Sequence, residues 1–543
     1  MTDHDLHYFH PSWIEPTDQT LEADLCIYGG TAAGVIAAVR ASQLGLKPIL
    51  LHPGKILGGM TTGGLGWTDF GRKETIGGLA REVYRRIGDL YGVDEEFQFA
   101  PGKAQAVIDR MIDDSGADVR LGQYLDGAEI EDGRITAVHL LGGLTVRARM
   151  FIDATYEGDL LAAAGVTFTV GRESNAKYDE SLNGTQVRDQ HQFGPAKISP
   201  FVEPGNPASG LLPNIEPADA RHRIGRGDHR LQAYNFRVCM TDDPDLKIDW
   251  QKPEGYDPLD HELLVRWYAQ AEKDDYNDPL KPPWQEEKAY NPDGHVIPSK
   301  FDVFPHRTAG GYGKTDTNNH GPVSSDFIGA NYAWPTADYA TRERIFQRHV
   351  TYQQGLYWTL ANDPRIPERY RDAYGAWGLP NDEFAATGHW PHQLYVREGR
   401  RMVSDHVITE HDCMGTVRAE HSVGLGSYTL DSHNCSRFIR FTDDGPVVMN
   451  EGDVQVPPTD PYPVDYRCIV PADGECANLL VPVCISASHI AFGSARMEPV
   501  FMTLAESAAA AASVAIEENL AVQDVPYKAL RPHLEETGQA LEY

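Results

Sequence analysis

Three polar residues near the C-terminus have the types and spacing of an acid–base site. Asp431 and His433 lie two residues apart in "YTLDSHN", so on a β-strand both side chains would face the same side. A carboxylate beside an imidazole orients the ring and raises its basicity, as a base that deprotonates a hydroxyl requires. His489, in the polar, glycine-containing segment "SASHIAFGS", is the other candidate for this base. For all three residues the alternative is a structural hydrogen bond.

An aromatic and basic segment upstream, "HWPHQLYVREGRR", is suited to holding a polar ligand. Trp390 and His392 offer an aromatic platform and a base to a sugar-like ring. Arg397 is able to clamp a carboxylate or a phosphate by paired hydrogen bonds. The alternatives are a structural role for the histidine and internal salt bridges for the arginines of this segment.

These residues need a scaffold, and the N-terminal sequence indicates a β-α-β unit. The apolar run Asp24 to Tyr28 is followed by "GGTAAG", an Ala-rich helix that ends at Gly45, and a second apolar run, Pro48 to Leu51. The free N–H groups of such a helix N-terminus bind a pyrophosphate. Thr31 replaces the middle glycine of the usual fingerprint, and His52 replaces the acid that normally holds a ribose hydroxyl. The alternative is an ordinary packing turn.

The next segment, "LGGMTTGGLGWTD", carries five glycines. So many glycines suit a backbone that packs directly against a flat ligand, where side chains would clash. Further on, Asp132-Gly133 between apolar residues predicts a hairpin, and residues 150–153 predict a strand that returns to the first one.

These blocks resemble the FAD-dependent oxidoreductase family, a bacterial branch of the glutathione-reductase-like flavoproteins in which some members carry a xanthan lyase label. The resemblance rests on "GGTAAGVIAA", "LGGMTTGGLGWTD", "GGLAREVY" and "FIDATYEGDLLAAAGV", in that order, and extends from about residue 23 to about residue 534. It implies an α/β fold, with a glutathione-reductase-like (Rossmann-type) FAD-binding domain and a large inserted α+β substrate domain. The expected cofactor-binding residues are Gly29, Gly30, Thr31, Ala32, Ala33, Gly34, His52, Gly58, Gly59, Met60, Thr61, Thr62, Gly63, Gly64, Leu65, Ala154, Thr155, Arg496 and Met497.

The resemblance also divides the chain. We expect an N-terminal tail (1–22), a first part of the FAD-binding domain (23–170), a substrate domain (171–463), the second part of the FAD-binding domain (464–534) and a C-terminal tail (535–543). Within these parts the sequence predicts helices over 337–362, capped by Thr336, and over 394–410. It also predicts long loops over 199–217 and 278–298, a strand over 479–485 with His489 in the loop after it, and a helix that starts at Pro499. By the resemblance, Arg496 before this last helix faces the pyrimidine edge of the flavin.

The composition excludes several classes of protein. The 543 residues carry a net charge of −31 at pH 7, which disfavours nucleic acid and anionic membranes as partners. A hydrophobic content of 41% rules out a disordered chain. Seven cysteines without a CxxC pair support neither a disulfide framework nor a metal site. The sequence shows no secretory signal and no membrane span, so we expect a cytoplasmic protein.

Together these observations predict an FAD-dependent oxidoreductase that transfers a hydride from a polar, hydroxyl-bearing and carbohydrate-like small molecule to flavin N5. One alternative is a redox-neutral lyase or isomerase that acts by transient oxidation and elimination. A non-catalytic flavin-binding protein is another, supported by the altered positions Thr31 and His52. The electron acceptor and the oligomeric state are not predicted.

Overall fold

The computed structural model describes residues 6–194, 196–274, 280, 297–298 and 301–543. The predicted loop over 278–298 therefore lies largely outside the described residues. The strands are β1 Thr20–Tyr28, β2 Pro48–His52, β3 Asp118–Leu121, β4 Leu125–Glu131, β5 Arg134–Leu140, β6 Thr145–Asp153, β7 Phe168–Thr169, β8 Ile215–Glu216, β9 Lys247–Ile248, β10 Phe301–Val303, β11 Thr315–Thr317, β12 Leu379–Pro380, β13 Arg401–Met402, β14 Ser422–Gly426, β15 Leu430–Ser432, β16 Ser436–Thr442, β17 Gly445–Glu451, β18 Val454–Val456, β19 Tyr462–Asp465 and β20 Leu479–Leu480.

Seven strands form the largest sheet, and its core is parallel. The order is β3-β2-β1-β6-β5-β4, with β20 paired to β6. Strands β3, β2, β1 and β6 run parallel, whereas β5 is antiparallel to both β4 and β6. The β4–β5 hairpin turns at Asp132 and Gly133, both with positive φ, so the predicted hairpin is confirmed. Tyr28 at the end of β1 faces Asp153 at the end of β6, and the loops that follow these strands therefore meet at one edge of the sheet.

The helices surround this sheet and continue into the middle of the chain. They are α1 Ala32–Gln43, α2 Gly59–Thr62, α3 Gly78–Asp89, α4 Pro101–Ser115, α5 Asp159–Ala163, α6 Asn175–Tyr178, α7 Glu262–Asp274, α8 Tyr339–Asn362, α9 Glu368–Gly375, α10 Glu410–Cys413, α11 His489–Ala495, α12 Glu498–Glu518 and α13 Tyr527–Glu536. With its mixed sheet and helices, the chain confirms the predicted α/β class.

Helix α12 packs against α1 and α3. Its run of alanines from Ala508 to Ala512 is fully buried, because side chains this small let two helix backbones approach closely. The helix is long and apolar enough to cross a membrane, but its apolar part is completely buried inside the protein. Such burial is typical of the core helix of a globular protein.

Four predictions in the second half of the chain need correction. No helix covers residues 394–410, where the chain runs through β13 and reaches α10 only at Glu410. Helix α8 is capped by Asp338 and not by Thr336, because the Asp338 carboxylate accepts the Thr341 N–H at 2.7 Å. The predicted strand over 479–485 shrinks to β20. His489 begins helix α11, with Ser488 as its N-cap, and does not lie in a loop.

All seven cysteines lie in the described part of the chain, where each is free and buried. No group of three or more metal-ligating side chains occurs among the described residues.

Candidate functional site

The turn between β1 and α1 has glycines where no side chain fits. Gly29 has a φ of +112°, and a Cβ there would lie 2.6 Å from the carbonyl carbon of Ala154. A Cβ on Gly34 would lie 1.9 Å from the Gly29 carbonyl oxygen. These two positions therefore bring the first turn of α1 directly against the ends of β1 and β6.

Thr31, which replaces the middle glycine of the usual fingerprint, is the N-cap of α1. Its hydroxyl accepts the Gly34 N–H at 3.2 Å and donates to the Ala154 carbonyl at 2.8 Å. The threonine thus joins the helix start to the end of β6. Ala32 and Ala33 follow in the first turn, whose N–H groups have no partner within the helix and suit an anion.

His52, at the end of β2, is bonded on both sides of its ring. Its Nδ1 accepts the Gly30 N–H at 3.0 Å, so its Nε2 carries the proton and donates to the Ile56 carbonyl at 3.0 Å. Burial lowers the pKa of His52 to about 4. A neutral ring therefore holds the loop after β2 against the glycine turn.

The second glycine segment, Gly58 to Leu65, contains α2 and lies beside this turn. The Gly58 N–H donates to the Gly30 carbonyl at 2.8 Å. A Cβ on Gly64 would lie 1.9 Å from the Arg237 carbonyl oxygen. The segment as a whole is buried; besides these two glycines it comprises Gly59, Met60, Thr61, Thr62, Gly63 and Leu65.

Glu498, in the first turn of α12, links this segment to the C-terminal part of the chain. Its carboxylate accepts the Tyr156 hydroxyl at 2.7 Å and the Thr61 hydroxyl at 2.9 Å. Tyr156 in turn accepts the Met60 N–H at 2.9 Å. Burial raises the pKa of Glu498 to about 7. Met497 before it is the N-cap of α12.

A cavity of about 270 Å³ opens at the N-terminus of α1, and we call it the α1 cavity. Its walls include Gly29, Thr31, His52, Thr155 and His392. The two ring nitrogens of His392 are buried, and neither has a hydrogen-bond partner among the described residues. Burial and the nearby His52 lower the pKa of His392 to about 3. A neutral, unpartnered imidazole on a cavity wall is a ready hydrogen-bonding group for a bound molecule.

Five residues from distant parts of the sequence form a second buried group, which we call the His433 cluster: Asp326, Arg397, Asp431, His433 and Arg496. The Nδ1 of His433 donates to Asp326 at 2.7 Å, and its Nε2 lies 3.4 Å from Asp431. Arg397 pairs with Asp326 at 3.0 Å, and Arg496 pairs with Asp431 at 3.0 Å. Burial opposes ionisation of Asp431, but His433 and Arg496 lower its pKa to about 2. The structure thus brings together two predicted catalytic residues and two predicted binding residues.

His489 lies next to this cluster and is more deeply buried. Its Nδ1 lies 2.8 Å from the Glu398 carboxylate, and its Nε2 lies 3.1 Å from the Ser432 hydroxyl. Ser432 directly precedes His433 in the chain. His489 therefore contacts Ser432, the neighbour of His433 in the chain. Each ring nitrogen of His489 has a hydrogen-bond partner.

The remaining predicted residue, Trp390, lies in the hydrophobic core. It is fully buried and packs edge-on against Phe236, with ring centroids 5.7 Å apart. Its neighbour His392 lines the α1 cavity, so the structure separates the pair that the sequence places together.

Sequence reasoning missed several residues of this region. Glu498 directly follows Met497, which was predicted to contact the cofactor. A carboxylate in the first turn of an apolar helix could have indicated that Glu498 also belongs to this site. No local signal marks Asp326 or Glu398, because they contact His433 and His489 from 107 and 91 residues away along the chain.

Comparisons with known proteins agree with this geometry. The model of the FAD dependent oxidoreductase family matches residues 24–534. No curated protein sequence matches the chain at a significant level.

Solved structures resemble parts of the chain. L-proline dehydrogenase from P. horikoshii shares 13% identity over 29% of this chain and 59% of its own length, with a TM-score of 0.24. The amino acid oxidase NikD shares 14% identity over 28% of this chain and 57% of its own, with a TM-score of 0.22. A geranylgeranyl bacteriochlorophyll reductase-like protein from Thermoplasma acidophilum shares 17% identity over 27% of this chain and 43% of its own, with a TM-score of 0.20. The match thus spans less than two thirds of each of these proteins.

The residues present fit FAD. The α1 cavity begins at a capped helix N-terminus, Gly29 and Gly34 leave no room for a Cβ, and His392 carries two unpaired buried nitrogens. Gly29, Gly30, Thr31, Ala32, Ala33 and Gly34 would hold the pyrophosphate region, and residues 58–65 would lie along the remainder of the cofactor.

Proposed function

Because the chain belongs to the FAD-dependent oxidoreductase family, we propose that it is an enzyme that oxidises a polar, hydroxyl-bearing and carbohydrate-like small molecule. FAD is its cofactor, and when bound it accepts a hydride from a substrate C–H bond at flavin N5. The chain's own residues must then bind the substrate, orient it and accept its hydroxyl proton.

The observation that carries the proposal is the position of His433. Asp326 holds Nδ1 and thereby orients the ring, as a carboxylate does for a general base. The side chains of Asp431 and His433 keep 15% and 6% exposure, whereas that of His489 keeps 3%. Nε2 of His433 is therefore the better placed of the two bases to take a proton from a substrate hydroxyl.

Unpaired donors beside the cluster support an oxygen-rich substrate. The Nε atoms of Arg397 and Arg496 and the side-chain amide nitrogens of Gln232 and Asn434 are buried without hydrogen-bond partners among the described residues. Buried donors are normally satisfied. A molecule that carries several oxygen atoms would satisfy them, and an apolar one would not.

Arg496 and Arg397 have a further role in this proposal. Each pairs with a carboxylate that contacts His433, so the positive charge balances Asp326 and Asp431. Buried charges need such partners. The arginines therefore leave neither carboxylate as an unpaired buried charge beside the ring.

An anaerobic titration tests the proposal. Purified protein with bound FAD is mixed with a panel of sugars, polyols and hydroxy acids, and the flavin absorbance is followed. At least one member should bleach the flavin and leave a carbonyl product. If no member bleaches it, oxidation of hydroxyl compounds is contradicted. Steady turnover of a substrate without any electron acceptor would instead indicate the redox-neutral lyase or isomerase reaction.

The cytoplasmic location and the lack of nucleic-acid or membrane partners stay predictions from composition.

A further inference from the structure

The N-terminal residues before β1 form part of the α1 cavity. His7, Tyr8 and Trp13 line it, together with the loop of residues 53–56 that follows β2. We call residues 6–13 the N-terminal strap. The strap precedes residues 24–534, which the family model matches, so the family match does not account for it.

Glu343 on helix α8 anchors the strap. Its carboxylate accepts the backbone N–H groups of Tyr8 at 2.8 Å and Phe9 at 3.0 Å, and it lies 2.7 Å from Nδ1 of His7. Two consecutive backbone donors on one carboxylate are strong, charge-assisted bonds. They hold residues 7–9 in one backbone conformation although these three residues have no regular secondary structure.

Aromatic packing fixes the same stretch from the other side. The ring of Tyr8 packs edge-on against Trp334, with centroids 4.7 Å apart, and its hydroxyl accepts from Arg342 at 3.1 Å. The ring of Phe9 packs edge-on against Tyr124 at 4.8 Å. The strap is therefore bound to both the large sheet and helix α8.

Trp13 lies at the end of the cavity where an adenosine would bind. In β-α-β dinucleotide sites the adenosine ribose lies at the end of the second strand. In this chain the last residue of that strand, β2, is His52. The loop after His52 supplies Lys55, whose Nζ is 4.8 Å from the centre of the Trp13 ring. The Trp13 carbonyl packs against Gly122, directly after β3, where a Cβ would be 2.9 Å away.

We propose that the N-terminal strap completes the cofactor site and retains the adenosine half of FAD, with Trp13 as its contact residue and Glu343 as its anchor. The strap closes the cavity on the side that the β-α-β unit leaves open. It selects a flavin with an adenosine over one without it. The proposal rests on FAD binding and not on the identity of the substrate.

Titration of flavin-free, full-length protein with FAD and with FMN, which lacks the adenosine, tests this. The variants are Trp13→Leu and Glu343→Gln, with the exposed Glu368→Gln on helix α9 as the matched control, and binding is read from flavin fluorescence. Both variants should weaken FAD binding about tenfold and change FMN binding less than about twofold. The control should change neither. Unchanged FAD binding in both variants, or equal weakening of FAD and FMN, would overturn the proposal.

A measurement on the unmutated protein guards against variants that fail to fold. Limited proteolysis within residues 6–19 should be slowed by FAD and by ADP, and not by FMN. If ADP does not slow the cleavage, a ligand in the adenosine site leaves the strap unaffected, and the proposal is overturned.

Discussion

The Glu398 carboxylate lies 2.8 Å from Nδ1 of His489, and both side chains are buried. On the other side of the ring, Ser432 lies 3.1 Å from Nε2. The main chain then leads directly from Ser432 to His433. Glu398 and His489 thus hold the strand end from which the proposed base projects, and we regard His489 as a positioning residue for His433.

Ser432→Ala removes the link between His489 and this strand end. We expect the rate of flavin reduction to fall about tenfold with KM nearly unchanged, because a misplaced base slows proton transfer more than it weakens binding. The pH dependence of this rate should also shift, which a purely structural serine would not cause. Ser513→Ala on helix α12 is the matched control. An unchanged rate and pH profile in Ser432→Ala would contradict the positioning role.

Gly34→Ala tests the close approach of α1 to β1. The new Cβ would lie 1.9 Å from the Gly29 carbonyl, so α1 must move away from the sheet. The free energy of unfolding should fall by about 1–3 kcal/mol, and the variant should take up less flavin than the wild type at limiting FAD, because its binding is about tenfold weaker. The control is Gly127→Ala on β4, where a Cβ meets no atom within 4 Å. Wild-type flavin content in Gly34→Ala would contradict this account of the turn.

Glu498 predicts a pH dependence of stability. Burial raises its pKa from 4.5 to about 7 in the folded protein, so the folded state binds a proton that the unfolded state releases between these values. The contribution of Glu498 to stability is therefore greatest below pH 4.5 and is lost as the pH rises through about 7, a change of about 3 kcal/mol.

Urea unfolding of the wild type and of Glu498→Gln checks this. The glutamine variant cannot ionise, so its stability relative to the wild type should rise between about pH 5 and about pH 8. Glu518→Gln, at the exposed end of the same helix, should show no such change. A constant difference between Glu498→Gln and the wild type would mean that Glu498 titrates normally.

His392→Leu tests the unpartnered imidazole on the wall of the α1 cavity. Without FAD the variant should be more stable by about 1–3 kcal/mol, because an unsatisfied buried polar group is removed. FAD should bind about tenfold more weakly, because the hydrogen bond that the cofactor would make is lost. Thermal unfolding and flavin titration measure the two effects. The control is His261→Leu, a buried histidine outside the cavity. Tighter or unchanged FAD binding in His392→Leu would place that residue outside the cofactor site.

The β-α-β unit could be predicted from the sequence because its signals are local. Glycines at 29 and 34 and the apolar runs on either side of α1 each require only their neighbours in sequence. The proximity of Asp431 and His433 was predictable for the same reason, since a spacing of two places side chains on one face of a strand.

The rest depends on contacts between distant residues. Residues 394–410 have helical spacing, yet Arg401 there pairs with Glu173 at 2.7 Å and with Glu398 at 3.0 Å inside the protein. Buried charges need such partners, and this requirement overrides the local preference for a helix. Asp326 could not be predicted either, since only the fold brings it to His433.

The most direct test of the central claim compares the wild type with His433→Asn in anaerobic flavin reduction by a hydroxyl compound that bleaches the wild-type flavin. If His433 is the base held by Asp326, the variant should keep its FAD and reduce it about 10²–10⁴ times more slowly, while His139→Gln on β5 reduces it at the wild-type rate. Flavin reduction at the wild-type rate in His433→Asn, with FAD fully bound, would contradict the account.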